Sequence, residues 1–153
     1  MVNPIPEGYP RVTPYLIVDD ASAAIDFYSS VLGATERMRM DAPGGSIGHA
    51  ELDVGDSVVM LADENPEVNA RSPRSVGGSP VSLMVYVEDV DDVFARALEA
   101  GAKELRPVED QFYGDRLGAF EDPFGHVWNV ASHVEDVPPE EMQKRAAEAA
   151  RAG

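Results

Sequence analysis

His49 and Glu51 offer the clearest chemistry in this chain, an imidazole and a carboxylate two residues apart. On a β-strand such residues share a face, and Ile47 to Val54 reads as a strand. Gly55-Asp56 then gives a two-residue hairpin signal before the strand Ser57 to Ala62. Counting outward from that loop sets Val54 opposite Ser57, Asp53 opposite Val58, Glu51 opposite Met60 and His49 opposite Ala62. Ala50, Leu52, Val59 and Leu61 form an apolar face, and His49, Glu51 and Met60 look the other way. Such a pair can act as general base and orienter, bind an amine, or supply two ligands to a metal. The bland alternative is two solvated residues on a strand near a sheet edge.

A second hairpin is predicted around Glu121-Asp122-Pro123-Phe124-Gly125-His126. Pro123 suits the second position of a type I turn, and Gly125 can take a positive φ. With a four-residue turn, Glu121 faces His126, Phe120 faces Val127, Ala119 faces Trp128 and Gly118 faces Asn129. Asn129, Gly118, Ala131 and Arg116 then share one face, and Trp128 shares the other with Ala119. On the Asn129 face, Arg116 could clamp a carboxylate or phosphate, or else pair at the surface with Asp115 or Glu121. Gln111 and Tyr113 sit in the polar segment before it, placed to close over that face. Trp128 is expected in the core, and His126 and His133 are expected to be structural or exposed. No nucleophile elbow, phosphate-binding glycine loop or paired-His zinc motif is present.

The elements that must position these residues occur twice. Val12 to Val18 reads as a strand, with Pro14 at a start or edge. Asp19 and Asp20 offer a helix cap, Ala21 to Leu32 is periodic, and Gly33 stops it. Strands Ala34 to Met40, Ile47 to Val54 and Ser57 to Ala62 follow. The order then restarts with strand Val81 to Val87, a cap at Glu88-Asp89, helix Val90 to Ala100 and a stop at Gly101. Lys103 to Val108 and the second hairpin complete it. The sequence therefore predicts an α+β chain of two βαβββ modules, a duplication of roughly 70 residues. The first spans 11–62 and the second 81–133, with a linker or lid loop at 63–80 and a tail helix within 134–153. Residues 1–10 carry three prolines and are expected to form an extended arm.

Composition narrows the function. The net charge of −16, from 12 basic and 28 acidic side chains, repels phosphate backbones and anionic lipid, so nucleic-acid and membrane partners are not expected. It weakly favours a cationic ligand. No apolar run is long enough for a membrane span, and no signal peptide is visible. With no cysteine there is no disulfide framework, and a cytoplasmic protein is expected.

Ala24-Ile25-Asp26-Phe27-Tyr28 through Val31-Leu32-Gly33, the echo at Ala100-Gly101-Ala102, and Glu121 to Gly125 together resemble the vicinal oxygen chelate superfamily. This is the group of glyoxalase I, bleomycin-resistance proteins and extradiol dioxygenases, and the likeness is greatest to its PhnB-like or glyoxalase-like branch. The resemblance implies curved mixed sheets paired around a cleft, within one chain or across a homodimer. It also implies metal ligands on the first and fourth strand of each module, positions that fall on Thr13, Met60, Ser82 and Asn129. A divalent cation wants imidazole or carboxylate there, so no metal or other cofactor is expected. A divalent metal held by His49 and Glu51 is the alternative. By the same resemblance Tyr15, Ile17, Met60, Met84 and Tyr86 line the cleft as an aromatic, adaptable wall, or fill the interface between modules. The resulting expectation is a protein that holds a small organic molecule. The alternatives are a glyoxalase-like lyase, isomerase or dioxygenase using His49 and Glu51, and a dimeric scaffold whose cleft its own side chains fill.

Overall fold

The computed structural model describes residues 2–153, so Met1, the first residue of the predicted arm, lies outside them. The chain forms two compact units, one made of the residues up to Pro80 with Pro123–Gly125, the other of Val81–Asp122 with His126–Gly153. The fold is α+β, with a βαβββ order in each unit and a C-terminal helix. Among the described residues no helix is long and apolar enough to cross a membrane.

In the first unit, strands β1 (Tyr15–Val18), β2 (Thr35–Asp41), β3 (Ile47–Val54) and β4 (Ser57–Asp63) form a sheet ordered β1-β4-β3-β2. Strand β1 runs parallel to β4, and the other neighbours are antiparallel. Helix α1 (Ala21–Leu32) begins where the Asp20 carboxylate accepts from the Ala23 N–H, and ends at Gly33 with φ +68°. Its buried Ala24, Ile25, Phe27, Tyr28 and Val31 belong to one core with Leu16, Val18, Ala50, Leu52, Val59 and Leu61. The Asp63 carboxylate accepts from Ala21 N–H and Ile47 N–H, both at 2.7 Å, tying the helix start to the start of β3.

Residues 63–80, expected as a linker or lid loop, carry short elements of their own. They hold a 3-10 turn (Pro66–Val68) and the short helix α2 (Pro73–Val76). The Glu64 carboxylate accepts from Ser72 N–H and from the Ser75 hydroxyl, and these donors push it down to about 2. Pro123–Gly125 completes this unit. The Phe124 ring meets Phe27 and Tyr28 edge-on at 6.2 and 6.3 Å, and Arg74 donates to the Pro123 carbonyl at 2.7 Å.

In the second unit, β5 (Ser82–Tyr86), β6 (Lys103–Asp110), β7 (Asp115–Glu121) and β8 (Val127–His133) form a sheet ordered β5-β8-β7-β6. Helix α3 (Val90–Glu99) covers one face, capped by Asp89. The Ser132 hydroxyl accepts from Val90 N–H and donates to the Val87 carbonyl, fixing the helix start to β8. Gly118 lies under the Phe94 ring, where a Cβ would come within 3.0 Å. Helix α4 (Pro139–Ala152) follows a tail whose Val134 and Glu135 N–H groups both donate to the Gly114 carbonyl.

Candidate functional site

The first hairpin pairs as its loop requires. Glu51 faces Met60, Asp53 faces Val58 and Val54 faces Ser57. Across the sheet the same row runs Tyr15, Met60, Glu51 and Met38, with Ile17, Ala62, His49 and Met40 on the same face, away from α1. Tyr15 and Met40 are exposed, Met60 and His49 half-buried, and Glu51 buried.

These side chains form a hydrogen-bonded line. The Glu51 carboxylate meets His49 Nε2 at 2.8 Å through Oε2 and accepts from the Tyr9 hydroxyl at 2.6 Å through Oε1. His49 Nδ1 lies 2.8 Å from the Tyr15 hydroxyl, with the rings tilted at 42°. Tyr9 is held in turn by Arg37, whose guanidinium sits 4.8 Å over its ring, donates to the Gly8 carbonyl and forks onto Asp53. The Tyr9 phenol, and after it His49, holds the Glu51 carboxyl below the usual carboxylate range. Burial, and then the charge of Glu51, push the Tyr15 phenol up, so it keeps its proton at neutral pH. Nothing in the proline-rich arm marks Tyr9 as part of this line, since the arm has no periodicity to fix where it lies.

The second sheet departs from expectation by one residue. Glu121 pairs with Val127, Phe120 with Trp128, Ala119 with Asn129 and Gly118 with Val130. The loop is Pro123-Phe124-Gly125, closed by an Asp122 N–H bond to the His126 carbonyl, and Gly125 takes φ +94°. A three-residue loop ending in a left-handed glycine is a common hairpin connection, and buried Asp122 locks it by accepting from His126 N–H and Trp128 Nε1–H. A one-residue slip reverses every side chain of the strand. Arg116 therefore lies on the α3 side, not with Asn129, and forks onto Asp91 at 2.9 Å with a further bond to Asp110. Of the two roles open to Arg116, a ligand clamp or a surface ion pair, the guanidinium is engaged in ion pairs, with Asp91 and Asp110 in place of Asp115 or Glu121.

Met84, Tyr86, Asn129 and Ala131 share the face away from α3, with Met84 and Tyr86 exposed. The Asn129 amide donates to Ser82 Oγ at 3.1 Å. Gln111 closes its own turn, with its side chain on the Glu109 carbonyl, and Tyr113 meets Phe112 edge-on at 5.2 Å. Asp115, which the shifted register places opposite His133, gathers a cluster the sequence did not signal. Its buried carboxylate accepts from Tyr86 at 2.7 Å and meets His133 Nδ1 at 2.8 Å, and His133 Nε2 meets Asp136 at 2.7 Å. His133 thus has a carboxylate on each ring nitrogen. Asp115, then Asp136, hold it above the usual imidazole range, and Asp115 likewise raises Tyr86.

The residues at the four positions that the family resemblance assigns to metal do not fit a divalent cation. Thr13 donates its hydroxyl to the Pro10 carbonyl, Asn129 donates to Ser82, and Met60 offers only a soft thioether. Among the described residues no group of three or more His, Cys, Asp and Glu side chains is gathered to hold a metal ion.

Comparison with known proteins now decides the family. Residues 9–130 match the Glyoxalase/Bleomycin resistance protein/Dioxygenase superfamily. The chain belongs to that superfamily. An uncharacterized protein of Mycobacterium bovis is 43% identical over 137 residues, covering 88% of this chain and 90% of that protein. Among solved structures, TioX from Micromonospora superposes with a TM-score of 0.63 at 31% identity, over 82% of this chain and 99% of the other. The fosfomycin resistance protein FosX from Mesorhizobium loti shares the fold alone. Its TM-score is 0.62 at 17% identity, over 90% of this chain and 97% of the other.

Proposed function

We propose that the chain binds a small organic molecule on the open face of its first sheet, and does so without a divalent metal. The observation that carries this is the line Tyr9–Glu51–His49–Tyr15 set in an apolar surround of Met60, Met38 and Met40. Methionines adapt to irregular guests, and an oriented polar row fixes how the guest lies. The four substituted metal positions support the metal-free form of the reading, and the net charge of −16 adds a weak preference for a cationic guest.

The test is elemental analysis of purified protein, followed by a thermal-shift screen of small organic compounds with and without a chelator. The expected result is no stoichiometric Ni, Zn, Fe or Mn, and a stabilising compound whose effect survives chelation and shrinks in Tyr15→Ala and Met60→Ala. A stoichiometric metal whose removal abolishes binding would overturn the proposal.

One observation favours a catalytic version of the same site. His49 is held by a buried carboxylate on one nitrogen and faces an exposed phenol on the other, the arrangement of an oriented general base. In that version His49→Ala and Glu51→Ala retain binding of the compound found in the screen and lose its turnover. Loss of binding in both, with no turnover in the wild type, leaves binding alone.

A further inference from the structure

The line on the first sheet has a direction, and that direction depends on one proton. Glu51 is buried, and as an ionised carboxylate it can only accept. Tyr9 donates to one of its oxygens, so the other takes its hydrogen from His49 Nε2. With the imidazole neutral, Nδ1 then carries no hydrogen and must accept from the Tyr15 hydroxyl, 2.8 Å away. The phenol proton points inward, and the exposed Tyr15 oxygen offers only lone pairs outward. With the imidazole protonated, Nδ1–H donates to the Tyr15 oxygen instead, and the phenol proton turns outward. Apart from Glu51, Tyr15 and Tyr9, the charged groups next along this face are Arg37 and Asp53, which are paired with each other. Strand β4 presents uncharged Met60 and Ala62, and β2 presents Met38 and Met40.

We propose that the Tyr15 hydroxyl reads the polar head of the bound molecule, and that His49 sets the sense of the reading. A neutral His49 selects a hydrogen-bond donor such as a hydroxyl or ammonium, and a protonated His49 selects an acceptor such as a carbonyl or carboxylate. This rests on the open face of the first sheet being the binding face.

Phenol and acetophenone test it, because both are uncharged across the pH range, so the overall charge of the chain does not choose between them. Their affinities are read from side-chain NMR signals of Tyr15 and His49 at two pH values, a lower one at which nitrogen-15 NMR shows the His49 ring protonated on both nitrogens and a higher one at which it shows the ring neutral. The preference for phenol over acetophenone is expected to grow roughly tenfold from the lower to the higher pH. In Tyr15→Phe, confirmed folded by its spectrum, the ratio is expected to stay flat. Equal ratios at both pH values, or a swing that persists in Tyr15→Phe, would overturn the inference and leave the binding face standing. If neither probe perturbs these signals at either pH, the binding-face proposal fails and takes the inference with it. Nitrogen-15 NMR gives a second check that needs no probe. At the higher pH the His49 proton must sit on Nε2, and finding it on Nδ1 would refute this polarity.

Discussion

Removing the Tyr9–Glu51 bond tests whether the N-terminal arm is built into the first sheet. Glu51 is 5% exposed and accepts two bonds, one from Tyr9 at 2.6 Å and one involving His49 at 2.8 Å. Hydrogen bonds to an ionised group contribute about 1.5–3 kcal/mol each. Glu51→Ala removes both acceptors, but the freed Tyr9 phenol can reach water, so the expected loss is about 2–4 kcal/mol. Tyr9→Phe removes one bond and keeps the ring under Arg37, for an expected loss of about 1–2 kcal/mol. Urea denaturation of both single variants and the double variant closes a cycle whose coupling should be about 1–2 kcal/mol. Additivity within a few tenths of a kcal/mol would refute the bond and, with it, the placement of the arm. A pH series adds an independent reading. Because the Glu51 carboxyl is depressed by Tyr9 first and His49 second, its contribution is full above the ordinary carboxylate range. It is lost as pH falls through the lower folded value. The advantage of wild type over Glu51→Gln should therefore hold at neutral pH and shrink below about pH 4.

Other expectations follow from the second hairpin and the ordered segment after β4. Asp122→Ala removes the carboxylate that accepts from the Trp128 indole N–H and the His126 N–H, so stability should drop by about 2–4 kcal/mol with a change in tryptophan fluorescence. Gly114→Ala would drive a Cβ into the Glu135 carbonyl oxygen at φ +100°. It should release the tail and α4, seen as faster proteolysis after residue 133. Carbon-13 titration should find the Glu64 carboxyl near the value of about 2 that Ser72 and Ser75 impose, and Ser75→Ala should raise it. Arg116→Ala should leave ligand binding unchanged in the thermal-shift assay, because that guanidinium is committed to Asp91 and Asp110.

The first sheet was legible because Gly55-Asp56 leaves one simple way to close its hairpin, and the strand parity of His49, Glu51 and Met60 follows from it. The second was not, because Asp-Pro-Phe-Gly admits both a four-residue turn and the three-residue loop with Gly125 in the left-handed region. The choice is made by the Asp122 side chain reaching Trp128 and by Phe124 seating on Phe27 and Tyr28. Those contacts have no local sequence signature, and the slip they impose carried Arg116 to the wrong face and hid the Asp115–His133 pair. Residues 63–80 read as a linker or lid loop because isolated contacts organise them, the Glu64 carboxylate reaching Ser72 and Ser75 and the Asn65 backbone bridging to Ala70. Tyr9 was invisible for a related reason, since an arm with no ladder of its own is placed only by what it touches. The helices were the easy part: Asp20 and Asp89 cap where short polar residues should, and Gly33 stops α1.

Isothermal titration of the first compound to emerge from the thermal-shift screen, run in excess chelator, bears most directly on the central claim. Saturable binding is expected at one site, with undiminished affinity when metal is stripped and a clear loss in Tyr15→Ala. Binding that vanishes with the metal, or that Tyr15→Ala leaves untouched, would contradict it.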